Sequence, residues 1–168
     1  TKDFKFKNPG NVAKDAKLEA KPKIYVAALA TDSMGIGTWT QPGRGEIPYG
    51  WQVLMGWVRL NPVALQFFYE DKSQNDYFVG GLSGPGYMYP KSIPEDHFTV
   101  LMKDARQLMQ TLDLHIMEIM DYSEGNRHVG NTDLPKELVD RYYEAFPEAI
   151  GFINGYGTAR TFDLRDGV

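Results

Sequence analysis

The sequence has no cysteine, which excludes disulfide bridges, thiolate nucleophiles and cysteine metal sites. Long apolar runs are missing too: the longest, Ile24 to Ala30, is far too short to span a bilayer. Histidine is scarce, and His97, His115 and His128 share no metal-ligand spacing. No P-loop occurs, and Gly35-Ile36-Gly37 lacks the further glycine of a dinucleotide fingerprint. Nothing in the chain therefore calls for a metal or a cofactor. An initiator methionine and a charged-then-apolar signal segment are both absent, so the expectation is a processed protein or a piece of a longer one.

What is present describes one ordinary domain. The 168 residues are 42% hydrophobic and 24% charged, the balance of a soluble globular protein with a real core. Aromatics reach 13%, with ten tyrosines and three tryptophans, enough for a rich core or a stacking surface. Residues 1–23 carry seven lysines against Asp3, Asp15 and Glu19, a net charge of +4 that leaves −8 on the remainder. Residues 1–22 read as a polar basic leader, either a solvated and partly disordered arm or a linker from a preceding domain, ahead of a domain over 23–168. An acidic body without an arginine cluster argues against a nucleic-acid partner.

The hydrophobic pattern alternates strands with helices. Lys23 to Thr31 is a near-continuous apolar run of the length of a strand buried on both faces. A Gly- and Pro-rich loop follows over 33–48, then a strand candidate from Tyr49 to Val58. Asn61-Pro62 predicts a helix start. Asp76 to Gly80 is a short strand, and Ser92-Ile93-Pro94-Glu95 fits a capping box. Phe98, Leu101, Met102, Ala105, Leu108, Met109 and Leu112 then fall on one helical face. Leu114 to Asp121 reads as a buried strand, Asp133 as the cap of a helix that Pro147 closes, and Ala149 to Ile153 as a last strand. Alternation of this kind implies right-handed crossovers and a parallel α/β sheet. About five strands and three clear helices are too few for a complete eight-unit barrel, so the expected fold is a partial, TIM-barrel-like domain. Its open edges need cover from a homo-oligomer or a companion segment.

Parallel sheets collect ligands at the carboxyl ends of their strands. Asp32 ends the first strand, Asp121 and Tyr122 the fourth, and Tyr156 follows the fifth. Asp32 and Asp121 are the best-placed pair for the two carboxyl groups of glycoside hydrolysis, with Glu118 and Glu124 as substitutes. Each acid has a plainer alternative as a helix cap or a solvated loop residue. The seven residues Gly84-Pro85-Gly86-Tyr87-Met88-Tyr89-Pro90 form a loop stiffened by proline and freed by glycine at close approaches. Tyr87 and Tyr89 on such a base could stack on a sugar or plug a turn. Trp39, in the long loop, is a further candidate for stacking, whereas Trp51 and Trp57 read as core.

Those seven residues match the motif that names the GxGYxYP family of putative glycoside hydrolases. The strand ending Ala30-Thr31-Asp32, the segment Arg44-Gly45-Glu46-Ile47-Pro48-Tyr49-Gly50-Trp51, and Asn75-Asp76-Tyr77-Phe78-Val79-Gly80 follow the order of that family's carboxy-terminal domain. The resemblance covers roughly residues 23–156. It implies a barrel-like α/β catalytic domain, bacterial origin, a polysaccharide-processing role and export to the periplasm or beyond. Where the family pattern continues with an acidic Asp-Gly-Asp-Asn segment, this chain has Asp32-Ser33-Met34-Gly35 and keeps only the first acid. Three functions follow as expectations: glycoside hydrolysis by Asp32 and Asp121 on a platform of Trp39, Tyr87, Tyr89, Tyr122 and Tyr156; a non-catalytic sugar-binding or structural module; or a metal-dependent carbohydrate esterase.

Overall fold

A computed structural model describes residues 3–17, 19, 21–125 and 133–155. Strands β1 (Leu29–Ala30), β2 (Tyr49–Leu54), β3 (Asp76–Gly81), β4 (Ile116–Ile119) and β5 (Gly151–Asn154) form one sheet, neighbours in that order and all parallel. Helices α1 (Ile36–Trp39), α2 (Trp57–Leu60), α3 (Pro62–Asp71), α4 (Glu95–Leu112) and α5 (Lys136–Ala145) fill the connections. The sheet curls into half of a barrel, in agreement with the partial-barrel expectation.

Alternation along the strands separates two faces. Trp51 and Val53 of β2, Phe78 of β3, and Met117 and Ile119 of β4 belong to one apolar core with Phe68, Phe98, Met102, Leu108 and Leu112 of the helices. The intervening residues Gln52, Val79, Gly81 and Glu118 point to the opposite, concave face, and two of these four are polar. That departure from an apolar strand is the first sign of a built site.

Helix α3 starts as the sequence predicts, with the Asn61 side chain accepting from the Ala64 N–H at 3.2 Å and Pro62 in the first turn. Helix α4 buries the expected apolar face. Its start differs, because Ser92 is used in a 3₁₀ turn (Pro90–Ser92) and the helix begins after Pro94. In the same way α5 begins after Pro135, so Asp133 lies ahead of it and is not its cap.

Two expectations near the amino terminus are corrected. Only Leu29–Ala30 of the apolar run is strand, paired with Gly50 and Trp51 of β2, while Ile24 and Val26 stand 92% and 88% exposed. The run lies at the sheet edge, where among the described residues no strand covers its outer flank. The basic leader, in contrast, is docked over its first part. Phe4 and Phe6 pack against the core, with the Phe6 ring edge-on to Tyr69 at 4.9 Å. Asn8 is buried because β4 begins late relative to β3 and leaves the Phe78 backbone without a strand partner on that side. The Asn8 amide supplies both missing bonds, donating to Phe78 O and accepting from Phe78 N–H, each at 2.8 Å.

Candidate active site

The carboxyl ends of β1, β3 and β4 deliver their loops to one mouth. After β3, Ser83 takes a left-handed backbone (φ +71°) and is stapled to β4: its N–H donates to Glu118 O at 3.0 Å, its Oγ donates to Met120 O at 2.8 Å and accepts from Met120 N–H at 3.0 Å. The Gly56 N–H donates to Pro85 O at 2.9 Å, and a Cβ at Gly84 would collide with Met88. On this base Tyr87 stands 57% exposed and Tyr89 half-buried, their hydroxyls 3.5 Å apart and their rings edge-to-face at 5.8 Å. Tyr89 continues to Tyr122, ring centroids 6.1 Å apart. The three rings form one aromatic strip at the rim. The Tyr87 hydroxyl is pushed up to about 12, first by its bond to Tyr89, then by burial, with the Asp32 charge adding.

Asp32 is exposed at the same rim, on a turn in which it and Ser33 both hold positive φ (+62° and +72°). Beneath it lies Glu118. That side chain is 1% exposed, accepts a hydrogen bond from Gln52 Nε2, and is pushed up to about 7 chiefly by burial, with the Asp32 charge adding and the Gln52 bond opposing. Two glycines make this floor possible. A Cβ at Gly81 would lie 2.6 Å from Gln52 Cγ, and one at Gly155 would lie 2.6 Å from Glu118 Cδ. Gln52, Gly81 and Gly155 are absent from the sequence reading. The available signal was a glutamine inside an otherwise apolar strand.

The residues expected at the site divide into three groups. Asp32, Tyr87, Tyr89 and Tyr122 come together. Asp121 is buried and committed to the loops: it accepts from Lys91 N–H at 2.6 Å, from Ser123 N–H at 2.8 Å and from Ser123 Oγ at 2.5 Å. Trp39 does not reach the mouth. The loop expected over 33–48 contains α1, which tucks Trp39 to 1% exposure against Trp51, Phe68 and Phe78, with its Nε1–H on Asp71 at 2.8 Å. A large ring followed by a Gly-rich turn can fold back under the sheet, and here burial of the indole prevails. Tyr156 and His128 lie outside the described residues. Among the described residues, no group of three or more His, Asp or Glu side chains could hold a metal ion, and no helix is long and apolar enough to cross a membrane.

Residues 22–167 match the family model for the GxGYxYP putative glycoside hydrolase C-terminal domain. The chain belongs to this family. It is also similar to the crystal structure of a putative hydrolase from Bacteroides thetaiotaomicron, at 25% identity and a TM-score of 0.60, over 71% of this chain and 24% of that one. The chain thus spans about a quarter of that relative's length. No curated protein matches it.

Two other stretches that carry the GxGYxYP likeness serve as scaffold, because they interlock with each other. Arg44 pairs with Asp76 at 2.6 Å and Asp71 at 2.7 Å while its guanidinium lies 4.3 Å from the Trp39 ring centre. Asn75 Nδ2 donates to Gly45 O, and Trp51 Nε1–H donates to Asp76 Oδ1, both at 2.8 Å. Asp76 has no exposed surface. Burial pushes its carboxyl up, but bonds from Ser73 and Trp51 and the Arg44 charge outweigh this and hold it below the ordinary carboxylate value.

Proposed function

We propose that this GxGYxYP domain binds carbohydrate across Tyr87, Tyr89 and Tyr122 and takes part in hydrolysing a glycosidic bond, with Asp32 and Glu118 as the carboxyl pair. Glu118 then takes the place in the pair that the sequence reading assigns to Asp121. The observation that carries the proposal is that one set of contacts gathers the parts: the Gln52 amide bonds both Glu118 and the turn of Asp32, and the tyrosine loop starts from Ser83, whose N–H is held by Glu118 O. Hydrolysis of this kind uses one carboxyl that keeps its proton and one that does not. Burial supplies the first at Glu118. The second part falls to Asp32, the carboxyl group exposed at the rim. From its closed position Glu118 passes its proton through one intervening water, and Asp32 meets the sugar directly. The tyrosine faces give the apolar side of a pyranose a flat surface, and their hydroxyls remain available to its hydroxyl groups.

A glycan array followed by product analysis on the hits tests this. The wild type should bind and cleave, Tyr87→Ala should lose binding, and Asp32→Asn and Glu118→Gln should bind without cleaving. Binding that survives Tyr87→Ala overturns the platform. The 1% exposure of Glu118 favours a second reading, binding without turnover. Wild-type protein that leaves every bound glycan intact decides for it.

A further inference from the structure

Gln52 occupies the concave face of β2 with no exposed surface, and a buried primary amide is costly unless both its ends are bonded. Both are. Its Oε1 accepts from the Ser33 N–H at 3.2 Å, and its Nε2 donates to Glu118 Oε2. The first partner belongs to the turn after β1, the second to β4, which is two strands away from β2 in the sheet. The side chain crosses β3 to get there. Any residue larger than glycine at position 81 would block the path, since a Cβ would stand 2.6 Å from Gln52 Cγ and 2.8 Å from its Cδ and Nε2.

The Ser33 end explains a second oddity. Asp32 and Ser33 are consecutive non-glycine residues at positive φ, a conformation that persists only where surrounding contacts over-determine it. Gln52 Oε1 provides such a contact, and it comes from the same amide that holds Glu118.

We infer that Gln52 is a positioning residue, a single-amide tie that holds the Asp32 turn in register over Glu118 through the gap left by Gly81. This rests on reading Asp32 and Glu118 as the working carboxyl pair, but the tie itself is measurable without any substrate.

The test is NMR on the full chain. In the wild type, the Ser33 amide should be protected from hydrogen exchange, and its shift should follow the Glu118 carboxyl titration near pH 7; in Glu118→Gln that response should vanish. In Gln52→Met, Ser33 exchange should become roughly tenfold faster, as expected for loss of one hydrogen bond. The Glu118 midpoint should also move upward, because a donor to its charged form is gone. The Phe78 amide, held by Asn8, should stay protected and so separates a local release from unfolding. Should Gln52→Met fail to fold, Gly81→Ala, which keeps the amide but obstructs its path, should give the same two changes. A Ser33 amide that exchanges freely in the wild type, or an unmoved Glu118 midpoint in a folded variant, overturns the tie. A failed glycan array alongside a positive NMR result removes the carbohydrate reading and leaves Gln52 linking the two elements.

Discussion

The Lys91 N–H and the Asp121 carboxylate, 2.6 Å apart, join the tyrosine loop to the loop that follows β4. Asp121 also accepts from Ser123 twice, so a single buried carboxyl group fixes the positions of two rim segments. Asp121→Ala removes an acceptor used three times from partly buried and exposed donors, at an expected cost of roughly 1–3 kcal/mol. Denaturant unfolding checks the magnitude. Hydrogen exchange checks the location, with faster exchange at Lys91 and Ser123 than at the Phe78 amide.

Glu118 gives the protein a signed dependence on pH. Its native carboxyl titrates at about 7 against an ordinary 4.5, so between those values the folded state holds more protons than the unfolded chain. Stability from this group is intact below 4.5 and is lost as pH rises toward 7, by at most about 3 kcal/mol. Glu118→Gln cannot ionise. The melting temperature of the variant, less that of the wild type, should therefore climb between pH 4.5 and 7.5 and then level off. A flat difference would mean that Glu118 is charged without penalty.

Trp39 and Tyr87 should respond in opposite ways to the same truncation. Trp39→Ala opens the core between α1 and the sheet and should cost roughly 3–5 kcal/mol, with glycan affinity unchanged in whatever fraction stays folded. Tyr87→Ala, at the exposed rim, should change stability by no more than about 0.5 kcal/mol yet abolish array binding. Calorimetry and the array together separate the two outcomes.

Arg44→Met should leave Asp76 buried without its cation. The loss is expected at roughly 3–5 kcal/mol, and part of it should be recoverable in acid. The native Asp76 carboxyl lies below its ordinary value, so in the wild type its contribution is present at neutral pH and declines as pH falls through the native midpoint. With Arg44 gone that acid sensitivity should diminish, which urea titrations at pH 3 and pH 7 would show.

Much of this was legible in the sequence where the signal is local. The spacing from Phe98 to Leu112 specifies α4 because one face of a helix must be apolar. Asn61-Pro62 marks the start of α3 because both residues suit its first turn. The strip of Tyr87, Tyr89 and Tyr122 followed from placing loops at strand ends. Features that depend on register and curvature were not legible. Whether the run at Ile24 is covered depends on what lies beside β1, and whether Trp39 turns in or out depends on space beneath the sheet. The placement of Asp121 and Glu118 is of the same kind. Asp121 has donors one loop away that no spacing rule reveals, and Glu118 meets a glutamine two strands distant only because glycine stands between them.

Asn8 has a practical consequence for where this domain is cut. The family match begins at residue 22, and a fragment trimmed to that boundary would discard Phe6 and Asn8. The middle of β3 would then present an unsatisfied N–H and C=O at Phe78, and Tyr69 would lose the ring that shields it. Such a shortened fragment should express poorly and precipitate, even though every residue of the mouth is still present.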